Sequence, residues 1–548
     1  MRPAVAPPCA FVIFGITGDL SARKLMPALY RLHASGRLHP DTVIVGHARS
    51  ELGDAALRER MEAALREEVA EFDPRTWAEL APRLRYLQGP YDAPDGFVRL
   101  RALLDELGLR GRVFYTATPP TVYEAIAKEL AEAGLAAAPE GGFARLVVEK
   151  PFGSDLASAR ELNRVLAERF AEAQLYRIDH YLAKETAQNI GVLRFANSMF
   201  EPVWSNRYID HVQISVLEPL GMEGRGSFYE EAGVVRDVFQ NHLLQLMALV
   251  GMEPPARFDA REVRNEKVKL LAAVSCPDPA GVVVGQYVAG NGHAGYRQEE
   301  GVDPASRQAT FAAMRLEVAN WRWAGVPFYL RSGKRLEGKA SEIVLQFRLP
   351  PHVPFELEAP LKPDRLTLRI APDEGIELRF NGKRPGQRID LDRISLEFGY
   401  REAFDVPVPD AYETLLLDVM EGDATLFMRA DEVEAQWRIV EPVLRYLADE
   451  RPTPAFYEAG GPGPRAAFEL LERAGRSADS ARARATAART PARSRLKNSR
   501  TAPSSWGSTI RCALWVTVAS KPRESLCSPP APGSKRRRPR VMQSRIPA

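Results

Sequence analysis

Apolar and polar positions change their spacing twice along this chain, and the changes divide it into three parts. In the first part, short apolar runs at 9–14, 42–45, 113–116, 144–149 and 174–178 are each closed by glycine, proline or charge, as buried strands are. Between them, residues 54–72, 97–107, 121–133 and 155–170 follow helical spacing. Alternating strands and helices build a parallel, doubly wound sheet. The helix after the first strand is predicted to begin near Pro27, because a proline suits a first helical turn, which leaves a long loop in front of it. The second part opens with an alternating strand at 208–216 and an apolar helical stripe at 234–246. Residues 258–400 are then mostly extended, with runs at 282–289, 308–317, 342–349, 365–371, 376–380 and 394–400, the pattern of a half-buried antiparallel or mixed sheet. Helices at 411–420 and 432–447 follow, and after about Gly475 the patterning stops.

Composition alters this picture mainly at the C-terminal end. The 548 residues leave room for about two to four domains. With 45% hydrophobic and 26% charged residues the chain reads as ordinary globular protein, and no run approaches the roughly 18 apolar residues of a membrane helix. Residues 1–10 lack the charged and apolar regions of a signal peptide, so a cytoplasmic protein is expected. Cys9, Cys276, Cys512 and Cys527 show no C-x-x-C spacing, which argues against zinc or a disulfide framework, and no metal is expected. From Ser477 onward 16 Lys/Arg face only Asp479 and Glu524, so the net charge of +3 combines a tail near +14 with a body near −11. This tail, residues 477–548, is rich in Arg, Ala, Ser, Thr and Pro and is expected to be disordered. Its Lys535-Arg536-Arg537-Arg538 cluster reads as a solvated run, with no nucleic-acid partner expected. The abrupt switch also fits a frameshifted reading of the gene, which sequencing of the native locus tests.

The candidate chemistry begins at the first strand's end, in Gly15-Ile16-Thr17-Gly18-Asp19-Leu20-Ser21. A strand running into a glycine turn lets backbone N–H groups approach a pyrophosphate, with the next helix's N-terminus adding favourable dipole. Taken alone, G-x-x-G is a weak signal. Arg49 ends the second strand, where an arginine suits the 2′-phosphate of NADP and an acid would suit NAD. Lys150 lies at the carboxyl end of a later strand, on the ligand side of such sheets. The densest stretch is Arg177-Ile178-Asp179-His180-Tyr181-Leu182-Ala183-Lys184-Glu185. If it turns helical from His180, then His180 and Lys184 share a face and two cations can clamp a phosphate. Asp179 is then free to orient a histidine from elsewhere. His242 lies in the buried stripe of 234–246 and, taken alone, reads as a core histidine, although a buried, carboxylate-held imidazole is also what a general base requires. Asp237, five residues earlier, falls about 140° away round an α-helix and is expected to serve the substrate instead. Glu218 stands at the mouth of a loop, and the run 328–339 crowds cations after an apolar strand.

Taken together and in this order, the glycine turn, Glu149-Lys150-Pro151-Phe152-Gly153, the 177–185 motif and Arg236-Asp237-Val238-Phe239-Gln240-Asn241-His242 resemble the bacterial glucose-6-phosphate dehydrogenase family, over about residues 10–476. Ala183 stands where the family usually has Gly, and the tail matches nothing in it. The resemblance implies an α/β fold: an NADP-binding Rossmann domain over 1–179, then a substrate-binding and oligomerisation α+β domain over 180–476 with a mostly antiparallel or mixed sheet. It implies oxidation of glucose 6-phosphate at C1 to 6-phosphogluconolactone, with NADP as cofactor and NAD as a weaker alternative. His242 is then the general base and Asp179 its orienting partner. His180, Tyr181 and Lys184 match phosphate-binding positions, Glu218, Asp237, Lys334 and Lys339 match sugar-binding positions, and Lys24 is a further phosphate contact. Gly15, Thr17, Gly18, Asp19, Leu20, Ser21, Arg49 and Lys150 match the NADP site. The family also implies a homodimer or homotetramer. Two other readings stay open: a sugar oxidoreductase of the glucose–fructose oxidoreductase type, which shares the E-K-P turn, and a non-catalytic NADP-binding regulator.

Overall fold

In a computed structural model, the N-terminal part forms a parallel sheet from β1 (Cys9–Phe14), β2 (Val43–Ala48), β3 (Leu84–Gln88), β4 (Gly111–Thr116), β5 (Phe143–Val148) and β6 (Leu175–Ile178). Residues 5–275, 277–357, 360–404, 408–473 and 475–476 are described. The strand order β6-β5-β4-β1-β2-β3 places the switch of direction between β1 and β4, where a crevice opens beyond the strand ends. Along β1, Phe11 and Ile13 enter one core with Leu25, Leu29 and Leu57, while Val12 and Phe14 enter another with Phe97 and Leu100. Both faces are therefore covered, and the strands read as unbroken apolar runs.

The second sheet comprises β7 (Ile209–Leu217), β8 (Val282–Val288), β9 (Phe311–Leu316), β10 (Phe328–Gly333), β11 (Ala340–Phe347), β12 (Arg365–Ala371), β13 (Gly375–Lys383) and β14 (Leu391–Gly399). Later, β15 (Phe427–Met428) joins the first sheet antiparallel to β6, and β16 (Ala455–Glu458) joins the second beside β8. The second sheet runs β14-β13-β12-β11-β7-β10-β9-β8-β16 and is mixed: β7 with β10 and β8 with β16 are parallel, the other neighbours antiparallel. Because Leu217 pairs with Gly333 on the parallel strands β7 and β10, Glu218 and Lys334 leave the sheet side by side.

Several expectations are corrected. The first helix begins at Asp19, directly after the glycine turn, and not near Pro27. Residues Ser21–Leu25 are π-helical, with the Met26 N–H reaching Ser21 O five residues back, and the α-helix Met26–Ala34 continues the same rod. The wider turn carries the helix into Pro27, which has no N–H to donate. Within the stretch expected to be extended, Ala260–Ala273 is a helix whose N-cap Asp259 accepts the Arg261 and Glu262 N–H groups. The boundary at 179/180 is not clean either. Helix Ala411–Glu421 packs on helix Met26–Ala34, Arg145 donates to Val419 O and Met420 O, and β15 completes the sheet edge at β6. Residues 410–428 thus belong with the N-terminal layer. The tail expected to be disordered lies outside the described residues, as does Cys276.

Candidate active site

Lys150 follows β5 and Asp179 follows β6, adjacent parallel strands, so both side chains emerge at one end of the first sheet. His242 comes from another layer. It lies in the segment Val235–Leu243, which is π-helical and not α-helical, the Leu244 N–H reaching Phe239 O. Residues five apart are there about one turn apart, so Asp237 lies on the same side as His242. The expected 140° separation does not hold, and the bonds show it: the Lys150 Nζ lies 3.0 Å from His242 Nε2, 3.4 Å from Asp237 Oδ1 and 3.0 Å from Asp237 O.

The opposite ring nitrogen, His242 Nδ1, lies 2.5 Å from Asp179 Oδ1, and Asp179 is 1% exposed. The same Oδ1 accepts the Tyr181 N–H at 3.0 Å. Burial would lift the Asp179 carboxyl, but His242, His180 and the Tyr181 N–H hold it down at about 2. An ionised acceptor puts the imidazole proton on Nδ1, and the Lys150 ammonium can donate only to a lone pair on Nε2. Burial keeps the imidazole below its ordinary value, opposed by Asp179 and assisted by Lys150, so the ring is neutral near pH 7. Tyr181 stacks on it at 4.3 Å between centroids, and its hydroxyl lies 3.1 Å from Ser341 Oγ.

Opposite charges alternate outward from His242. Lys334 Nζ is 3.6 Å from Asp237 Oδ2 and also pairs with Glu218. Burial would raise the Asp237 carboxyl, but Lys150, Lys334 and His242 pull it down to about 2. His180 and Lys184 do not share a helical face, because 180–184 is a turn and the helix starts at Glu185. His180 stands edge-on to His242 at 4.7 Å and parallel to Tyr412 at 6.5 Å. Burial, with His242, Lys150 and Lys184 around it, pushes its imidazole well below the ordinary value, so it is a neutral donor and not the expected second cation. Lys184 is half-buried beside it, and Lys339 is exposed where β11 begins. Lys24 is not brought into the cluster: its Nζ lies 3.3 Å from Asp410 Oδ2, two residues before Tyr412.

At the coenzyme crevice, Gly15 has φ +85°, and a Cβ there would lie 2.2 Å from Ala117 O, so the turn admits only glycine. The Gly18 N–H donates to Gly15 O at 2.9 Å, tightening the turn beside Thr17. Ser21 is buried with its hydroxyl donated to Gly15 O, Asp19 pairs with Arg23 at 2.8 Å, and Leu20 packs on the core. The side chains of these three residues are thus committed elsewhere, and backbone N–H groups at the helix start are what the turn presents to a phosphate. Arg49 is exposed, with its guanidinium 5.9 Å from the Tyr91 ring. These residues fit a dinucleotide. Sequence reasoning missed Ser341, Tyr115 and Tyr412. The two tyrosine hydroxyls meet Glu149 Oε1 at 2.5 and 3.2 Å, and isolated aromatic residues in a strand and a helix carry no signal of this.

Two family models match, described as the NAD binding domain and the C-terminal domain of glucose-6-phosphate dehydrogenase, over residues 12–189 and 191–479. The chain belongs to the glucose-6-phosphate dehydrogenase family. Glucose-6-phosphate 1-dehydrogenase of Chlamydia pneumoniae is 43% identical over 87% of this chain and 96% of its own length. The enzyme of that name from Mycolicibacterium smegmatis is 44% identical over 86% and 98%. A solved glucose-6-phosphate dehydrogenase in complex with its substrate glucose-6-phosphate superposes with a TM-score of 0.82 at 37% identity, covering 88% of this chain and all of that one. The Mycobacterium avium enzyme gives 0.77 at 36%, covering 87% and 99%. As a member of this family the chain is an oxidoreductase with a Rossmann domain for a pyridine nucleotide. Among the described residues no helix is long and apolar enough to cross a membrane.

Proposed function

We infer that this chain oxidises glucose 6-phosphate at C1 to 6-phosphogluconolactone, passing hydride to NADP, the first step of the oxidative pentose phosphate pathway. The observation that carries the reading is the held imidazole: Asp179 on Nδ1, a lone pair at Nε2, and Lys150 against that lone pair. The C1 hydroxyl takes the place of the Lys150 ammonium at Nε2, and His242 removes its proton as a general base, a role worth roughly 10²–10⁴-fold. Asp179 stabilises the resulting imidazolium. A bound nicotinamide supplies the hydride acceptor. Glu218, Asp237, Lys334 and Lys339 hold the sugar, while His180, Tyr181 and Lys184 take the phosphate. Lys24 can join them, because an exposed pair such as Lys24–Asp410 costs little to break. The 15–21 turn receives the pyrophosphate, Arg49 the 2′-phosphate that distinguishes NADP from NAD, and Lys150 faces the nicotinamide side.

The test follows reduced-nicotinamide absorbance with glucose 6-phosphate, comparing NADP with NAD and the wild type with His242→Asn. Rapid NADP-linked turnover that the substitution abolishes while binding persists supports the reading. Full activity in the variant refutes the base, and equal rates with free glucose refute the phosphate site. The reading extends to a cytoplasmic homodimer or homotetramer. It is supported by the edge strand β14 and the residues after it, where Ile394, Leu396 and Phe404 are 40%, 57% and 61% exposed. Light scattering that returns a monomer overturns this part.

A further inference from the structure

The reacting side chains stand on two separate layers. Lys150 hangs from the first sheet and His242 from the π-helical segment, yet Nζ and Nε2 meet at 3.0 Å. Helix Ala430–Asp449 packs against that segment and against helix Leu156–Ala167 behind the first sheet. Two adjacent residues on it, Gln436 and Trp437, are 0% and 1% exposed. The Trp437 indole N–H donates to Phe152 O at 2.8 Å, and Gln436 Nε2 donates to Asn241 O at 3.4 Å. Phe152 is two residues beyond Lys150, and Asn241 directly precedes His242.

We propose that Trp437 is a positioning residue for the reaction: its indole N–H anchors the Phe152 carbonyl, and with it the turn that sets Lys150 against His242. Gln436 provides the longer and weaker tie on the His242 side. A buried tryptophan commonly finds some partner for its N–H, so the bond alone is no argument. The argument lies in where the two bonds go. Neighbouring side chains of one helix reach the backbones of both segments whose separation fixes the Lys150–His242 contact, across 285 and 195 residues of chain.

The contact has its own readout. Asp179, Asp237, His180, Lys150 and the Tyr181 ring face His242, with Lys184 acting from behind His180 and Lys334 through Asp237. Of these, Lys150 is the one held by the Phe152 turn, and its charge assists burial in keeping the imidazole from protonating. Loosening the turn lets the ammonium drift, and the ring then protonates at higher pH.

The proposal rests on His242 as the base. The experiment is the pH dependence of kcat and kcat/KM for glucose 6-phosphate with NADP in Trp437→Phe, alongside the wild type and His242→Asn. We expect kcat to fall roughly ten- to a hundredfold, as small misplacements of reacting groups do. KM for the sugar phosphate should stay within about twofold, since this turn itself carries none of the proposed phosphate contacts. The acidic limb of kcat/KM, which reports the free enzyme in which Lys150 faces Nε2, should move to higher pH. An unchanged kcat, or a limb that stays in place, overturns the proposal. If Trp437→Phe does not fold, a benzothiophene side chain at 437 removes the N–H while keeping the shape, with the same outcomes. A wild-type profile without an acidic limb, or a limb that survives in His242→Asn, instead removes the base on which the proposal stands.

Discussion

Replacing Asp179 by Asn removes one charge and leaves the shape of the site almost unchanged. Its Oδ1 accepts from both His242 Nδ1 and the Tyr181 N–H, so an asparagine keeps its oxygen in that place. Turning the amide would set its NH₂ against the Tyr181 N–H. The imidazole therefore keeps its tautomer, and the loss is the attraction between a carboxylate and the imidazolium formed in the reaction. With the charge centres about 4 Å apart and an effective dielectric constant near 20, that attraction is about 4 kcal/mol. Each 1.36 kcal/mol is a factor of ten, so kcat should fall roughly 10³-fold. KM should change little, because Asp179 is buried behind the ring. Asp179 also raises the imidazole's affinity for protons, so its removal should move the acidic limb to lower pH, the opposite of the shift expected for Trp437→Phe. Steady-state rates from pH 5 to 9 test both points. A loss under about threefold, or one confined to KM, refutes Asp179 as the partner of a charging base.

Two further outcomes follow from the coenzyme half. His47 is fully buried among Phe14, Tyr91 and Phe97 with neither ring nitrogen bonded, and burial, aided by Arg99, lowers it to about 4. The unfolded chain therefore binds more protons between the ordinary value of 6.5 and about 4, and stability that is full above 6.5 is lost as pH falls through that window. His47→Phe should lessen the loss by about 3 kcal/mol at pH 4 and change little at pH 7.5; urea midpoints at the two pH values check it, and parallel losses in both proteins count against it. Arg49→Ala should lower kcat/KM for NADP roughly 10–100-fold, the worth of a charged hydrogen bond, while sparing NAD. Equal effects on both cofactors would remove Arg49 from the 2′-phosphate.

Much of the fold was legible because both faces of the first sheet are covered, so its strands appear as unbroken apolar runs. The exposed third strand escaped notice: Leu84–Gln88 mixes Arg, Tyr and Gln at the sheet edge. So did β15, whose two residues are too few for any period. The individual site residues were readable as chemical types, and their order along the chain carried more than their spacing. What spacing misjudged was Asp237 against His242. A 3.6-residue period sets them apart, and no local pattern announces the wider π-helical turn that unites them. His180 failed as a cation for a similar reason, since its neutrality comes first from burial in the tertiary fold and then from His242 and Lys150, far off in the chain.

The return of residues 410–428 to the first sheet bears on how the protein is made. Ribosomes release the chain from its N-terminus at roughly 5–20 residues per second. Strand β6 ends at Ile178 and its edge partner begins at Phe427, so the nascent nucleotide-binding half waits roughly ten to fifty seconds with that edge uncovered. The helix Ala411–Glu421, which packs on helix Met26–Ala34, arrives equally late. A fragment that stops at residue 189 therefore lacks both the strand that closes one sheet edge and the helix that packs on Met26–Ala34, and uncovered edges and apolar surface of this kind favour aggregation. Synthesis of the second half is in this sense part of folding the first.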